Sequence, residues 1–115
     1  MNNESICIRK NVDYELINKA EISIKENKDL IKTKSEIFSL LGSEVRLSII
    51  SLLSEYKKLC VCDISDILNI SQSSISQHLR KLKDGKLIDN IRDGSTIFYF
   101  INDDINAFIK KVMEE

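Results

Sequence analysis

The 115-residue chain has no proline, no tryptophan, only three glycines, a single histidine and three cysteines. Without proline, and with Gly42, Gly85 and Gly94 as the main punctuation, the composition favours helices. One histidine cannot be assembled into a nucleophile, a base and a third orienting group, and no glycine-rich loop is present to cradle phosphate. The sequence therefore predicts that the protein is not an enzyme. No apolar run approaches the roughly 18 residues needed to span a bilayer, which predicts no membrane association. The opening stretch MNNESICIRK is polar and lacks the character of a secretory signal. A cytoplasmic location is expected. In that reducing compartment an odd number of cysteines points to free thiols or metal ligands rather than disulfides. The net charge of −1 gives no global attraction to nucleic acid, so local charge has to carry any such reading.

The residues that are present have ordinary proportions, with 43% apolar and 30% charged. The length fits one compact domain with a modest core, for which a dimer interface is a natural supplement. Residues 13–28 place Leu16, Ile17, Ala20 and Ile24 on a narrow helical stripe, as in a peripheral helix that packs against a partner. Residues 32–34 read as a connection. Ser35 is expected to cap a short helix that Gly42 ends. Ser43 is expected to cap a second, mostly buried one carrying Val45, Leu47, Ile49, Ile50, Leu52 and Leu53. Ile64, Ile67 and Leu68 mark a short amphipathic helix that Asn69 ends in a left-handed conformation. Ser71 then caps a helix with Ile75, Leu79 and Leu82 on its inner face, stopped by Gly85. Two helices joined by a three- to four-residue turn are the helix-turn-helix layout. Asp93-Gly94 between two β-rich runs predicts a hairpin. Asp103 or Asp104 is expected to cap a last helix with Ile105, Phe108, Ile109 and Val112 as its stripe. The predicted fold is mainly α (α+β), a winged helix-turn-helix with extra helices at both ends. The expected division is an N-terminal arm and helix over 1–33 and a DNA-binding domain with its C-terminal helix over 34–115.

The second helix of the pair carries the DNA reading. Gln72, Ser73, Ser76, Gln77 and Arg80 fall on its outward positions, and glutamine can bond adenine in bidentate fashion in the major groove. Ser73 and Ser74 are small enough to let the backbone come close to a duplex. Arg80, Lys81, Lys83 and Lys86 supply phosphate contacts, which position without specifying. Over residues 71–96 Arg80, Lys81, Lys83, Lys86 and Arg92 stand against Asp84, Asp89 and Asp93, a basic segment within an acidic chain. Arg92, near the hairpin tip, is placed for a minor groove or a phosphate. His78 is read as a DNA-backbone contact or a packing residue rather than a metal ligand. The competing reading of this helix pair is a solvated charged face.

The stretch KLCVCDI at residues 58–64 raises a separate question. Cysteines at i and i+2 diverge by about 200° on a helix but share a face in extended chain. Cys60 and Cys62 can therefore grip one ion only if Cys60 precedes the helix and Cys62 lies in its first turn. A helix start suits an anion, and the thiolate is the metal-binding form. Two thiolates are an incomplete site, which Cys7 would complete if the arm folds back. Three sulfurs without histidine suit Cd(II), Pb(II), As(III) or Sb(III), and four-coordinate structural Zn(II) would lack one ligand. The alternatives are buried small hydrophobes, or a thiol-oxidation or persulfide switch.

These elements together make a recognisable pattern. The segment over 40–104 resembles the ArsR/SmtB family of metal-responsive winged-helix repressors. LGSEVRLSIISLLSE is similar to the family's opening stretch. LCVCDISDILNISQSSISQHLRKLKDGKLI is similar to its ELCVCD box and recognition helix, with Ser76, His78 and Leu79 on the S-x-H-L element. IRDGSTIFYFI is similar to its wing. The resemblance implies a homodimer with the terminal helices at the interface. It also implies binding to double-stranded operator DNA, and release when a thiophilic metal binds. It implies a metal site of Cys7, Cys60 and Cys62, with Cys7 reaching the pair from the opposite protomer as in the cadmium/lead branch. Zn(II) remains a possible occupant. The chain departs from the family at Ser65, where some arsenic sensors carry a third cysteine, and at Asn11, where the cadmium branch often carries a second arm cysteine. The family's separate zinc site on the last helix keeps only Asp103 here, because Ile105 replaces its first histidine. The function expected is that of a metal-released repressor. The alternatives are a winged-helix regulator of thiol oxidation, a metal-independent DNA-binding protein, and a metal scavenger with a vestigial DNA head.

Overall fold

The computed structural model describes residues 6–114, so the first five residues of the polar opening MNNESICIRK lie outside it. The order of elements is α1 (Tyr14–Glu26), α2 (Lys28–Leu41), α3 (Glu44–Tyr56), β1 (Leu59–Cys60), α4 (Val61–Leu68), α5 (Gln72–Asp84), β2 (Ile88–Asp93), β3 (Thr96–Ile101) and α6 (Asp103–Met113). The chain falls into two compact units, Met1–Thr33 and Lys34–Glu115. Among the described residues no single helix is long and apolar enough to cross a membrane.

In the first unit, α1 starts where Asp13 Oδ1 accepts the Leu16 N–H at 3.0 Å. It has no buried residue, and Leu16 and Ile24 are each 62% exposed in the single chain. Residues 32–34, read as a connection, are helical, and Ser35 lies inside α2 rather than capping it. Lys-Thr-Lys contains nothing that breaks a helix, so the break falls earlier, at Asn27. The Asn27 backbone N–H and its Nδ2 both donate to the Ser23 carbonyl, at 3.1 and 2.9 Å.

The second unit is built on a core of Leu41, Ile49, Ile50, Leu53, Ile64, Ile75, Leu79, Leu82, Leu87, Ile88, Ile101 and Ile109. Burying each such side chain stabilises the fold by about 1.5–3 kcal/mol relative to leaving it in water. On α5 the buried set is Ile75, Leu79 and Leu82, the i, i+4, i+7 row that turns one face inward and leaves the other free. Ser43 caps α3 and Ser71 caps α5, each accepting the N–H three residues on at 3.3 Å. The sheet has the order β1-β3-β2, both pairs antiparallel. Asp93 faces Thr96, so the wing turn is Gly94-Ser95, and Gly94 takes φ +66° as the first residue of a tight hairpin loop requires.

Of two further helix ends, that of α5 falls where the sequence places it and the start of α6 does not. Gly85 ends α5 at φ −80°, and the left-handed residue is Lys86 at φ 65°. Lys86 N–H bonds the Lys83 carbonyl and Leu87 N–H the Leu82 carbonyl, the paired bonds of a Schellman stop. A Cβ at Gly85 would also run into the end of the Leu40 side chain, which would have to shift. At α6 the capping position belongs to Asn102, not to Asp103 or Asp104, which sit in the first turn. The Asn102 amide is committed elsewhere, with Nδ2 donating to the carbonyls of Lys86 at 2.8 Å and Ile88 at 3.4 Å. The sum is a winged helix-turn-helix.

Candidate functional site

The turn between α4 and α5 is three residues, Asn69 to Ser71. Asn69 takes the left-handed conformation at φ 57°, ψ 48°. Asparagine tolerates that region better than most side chains. Ser65 clamps the turn from inside. Its carbonyl accepts the Ile70 N–H at 3.2 Å, and its hydroxyl donates to the Ile70 carbonyl. Ser65 thus holds the turn in shape.

Beyond the turn, Gln72, Ser73, Ser76, Gln77, Arg80 and Lys83 are all exposed on α5, while Ser74 and His78 are half-buried. Ser73 Oγ lies 3.4 Å from Ser71 Oγ, which steadies the first turn of the helix. Arg92 is exposed one residue before the hairpin's last pair, Asp93 and Thr96. A row of polar side chains on one free helix face, flanked by cations and a β-ribbon, can present donors and acceptors to groove edges and phosphates.

His78 is held from α3. Arg46 Nη1 lies 3.3 Å from its Nδ1, and Arg46 Nε donates to the Leu40 carbonyl at 2.7 Å. Burial, then the nearby charges of Arg46 and Lys81, push the His78 pKa below its ordinary value of 6.5. Sequence reasoning gave Arg46 no role of its own. Its place in the stretch LGSEVRLSII was the available signal, but the partner lies 32 positions away.

The thiol pair sits at the entrance to α4. Cys60 is the last residue of β1, pairs with Phe98 across the sheet and holds the N-cap position, with no hydrogen bond from its side chain to the helix. Cys62 follows as the second helical residue and is exposed. Cys60 is thus in extended chain and Cys62 in the first helical turn, the backbone placement the sequence reading required. The Lys58 ammonium lies over the Phe98 ring, 4.9 Å from its centre. Among the described residues, neither unit by itself gathers three His, Cys, Asp or Glu side chains around a point. Cys7 is exposed and belongs to the first unit. Ile105 packs against the core.

Comparison with known proteins agrees with this architecture. The family described as bacterial regulatory protein, arsR family, matches residues 43–89, from the α3 cap into β2. The arsenical resistance operon repressor of Escherichia coli K12 is 38% identical over 70% of this chain and 68% of its own length. The cadmium resistance transcriptional regulatory protein CadC of Listeria innocua serovar 6a is 36% identical over 99% of this chain and 91% of its own. Among solved structures, reduced HlyU of Vibrio cholerae superposes with a TM-score of 0.70 at 27% identity, over 76% of this chain and 93% of that one. On these matches the chain belongs to the arsR family of bacterial regulatory proteins.

Proposed function

We propose that the protein is a homodimeric repressor whose α5 helices read operator DNA and whose grip is released when a thiophilic cation binds Cys7, Cys60 and Cys62. The observation that carries this reading is the placement of Cys60 and Cys62 at the start of α4, the helix that feeds α5 through a three-residue turn. A cation tying that start to the arm acts on the reading head through one short, clamped element. The donor set is soft sulfur without histidine, which favours Cd(II), Pb(II), As(III) or Sb(III), with Zn(II) a poorer match. The cadmium regulator aligns along nearly the whole chain and the arsenical repressor along 70% of it. That difference favours the cadmium/lead type of site, in which the arm supplies a sulfur.

The dimer is supported by the exposed apolar face of α1, where Leu16 and Ile24 lie open to solvent in the single chain. Phe38 of α2 is also half uncovered. Two reading heads on one dimer would meet two half-sites about one helical turn apart or a multiple of it. On the DNA, Gln72, Ser73, Ser76 and Gln77 face base edges, with Ser74 allowing close approach. His78, Arg80, Lys83 and Arg92 face the backbone or minor groove.

Release is a coupling free energy between the sulfur site and the DNA face. A coupling of about 1–3 kcal/mol weakens DNA binding roughly five- to 150-fold. The test uses a duplex selected by the protein from a randomised pool, with binding followed by fluorescence anisotropy as Cd(II) or As(III) is added. Release at saturating metal is expected. Undiminished affinity would remove the metal from the mechanism, and failure to select any duplex would remove the DNA.

A further inference from the structure

Arg46 is not among the residues proposed above to touch DNA or metal, yet it joins the end of α2 to the reading helix. Its Nε donates to the Leu40 carbonyl at 2.7 Å while Nη1 stands 3.3 Å from His78 Nδ1. A guanidinium carries donors only and stays charged, so the histidine nitrogen must accept. That assignment fixes the ring. It is neutral, its proton is on Nε2, and its plane is set by a partner on another helix.

The outer nitrogen is free to act. Among the described residues no buried side-chain nitrogen or oxygen lacks a hydrogen-bond partner, and none of them bonds Nε2, so Nε2 reaches solvent. It does so on the same helix that exposes Ser76, Gln77 and Arg80. Phosphate oxygens are the ordinary acceptors for such a donor.

We propose that Arg46 is a positioning residue for DNA binding, holding His78 as the neutral Nε2–H tautomer so that α5 presents one fixed donor to the DNA backbone. The inference rests on the DNA-reading role proposed above. The depressed pKa of His78 agrees with it, since burial first and the Arg46 charge second disfavour the charged ring. The charges acting on the ring are Arg46 from α3 and Lys81 from α5 itself. Of the other elements packed against α5, α4 carries Asp63 and Asp66, and β2 carries Asp89, Arg92 and Asp93. None of these five is among the charges that shift it.

Because the chain has one histidine, its ring nitrogens are unambiguous in a long-range proton–nitrogen NMR spectrum of the full protein. The neutral ring is expected as the Nε2–H form, titrating below 6.5. The functional arm is a double-mutant cycle of Arg46→Gln and His78→Gln on the duplex selected by the parent. The two substitutions are expected to be non-additive, coupled by more than about twofold in affinity. Should Arg46→Gln fail to fold, Arg46→Lys, which keeps the charge and loses the fork, takes its place in the cycle. A parent that selects no duplex overturns the proposed function and this inference with it. A parent that selects one overturns this inference alone if its ring carries the proton on Nδ1 or if the two substitutions act additively.

Discussion

Arg46 Nη1 and His78 Nδ1 meet at 3.3 Å across the α3–α5 interface, and the bond between them can run in one direction only. Protonating the ring turns its acceptor into a donor aimed at another donor, and sets a cation against a cation. The contact therefore depends on pH.

The sign follows from the depressed pKa of His78. Above pH 6.5, the ordinary value, both folded and unfolded rings are neutral and the contribution of this group is fully present. As pH falls below 6.5 the unfolded ring takes up its proton first, so stability declines until pH has passed through the lower folded value. Urea midpoints measured above and below that window should fall further for the parent than for His78→Gln. Equal falls in the two proteins would remove His78 from the acid response.

A second prediction concerns Lys57, between α3 and β1. Its φ of 67° and ψ of −60°, with Lys58 N–H bonded to the Tyr56 carbonyl at 2.7 Å, make a γ-turn of the strained hand. A left-handed position costs a β-carbon-bearing residue about 1–3 kcal/mol, of which glycine returns part through greater freedom in the unfolded chain. Lys57→Gly is expected to stabilise the fold by about 1 kcal/mol in chemical denaturation. Destabilisation would show that the lysine side chain contributes more than its backbone costs.

How much of this was legible in the sequence depends on how far away each constraint lies. Ser43 and Ser71 cap their helices as read, because an N-cap answers to an N–H three residues on. Asn69 and the hairpin around Gly94 were legible for the same local reason. Asn102 was not, since its amide is claimed by carbonyls 14 and 16 positions back in the chain. Gly85 stops α5 as read, but its close approach to the Leu40 side chain of α2 was not legible. At the candidate site, the exposed row on α5 followed from the spacing of Ile75, Leu79 and Leu82. The Arg46 tether followed from nothing local.

The sulfur set makes a prediction of its own. Thiolate-to-Cd(II) charge-transfer absorption per bound ion should fall in Cys7→Ser and fall further when Cys60 or Cys62 is also replaced. A dimer-spanning site also predicts that mixing Cys7→Ser with Cys60→Ser protein restores part of the signal, since one mixed site regains all three sulfurs. Equal intensity per ion in the parent and Cys7→Ser would take the arm out of the coordination sphere.

The most direct test of metal-controlled DNA release is the Cd(II) affinity of the parent protein, titrated by that same absorption with and without saturating selected duplex. Linkage requires the two ligands to oppose each other by one common factor. The account predicts that DNA weakens Cd(II) binding about five- to 150-fold, matching the loss of DNA affinity caused by Cd(II). Cd(II) binding of equal strength with and without DNA would contradict it.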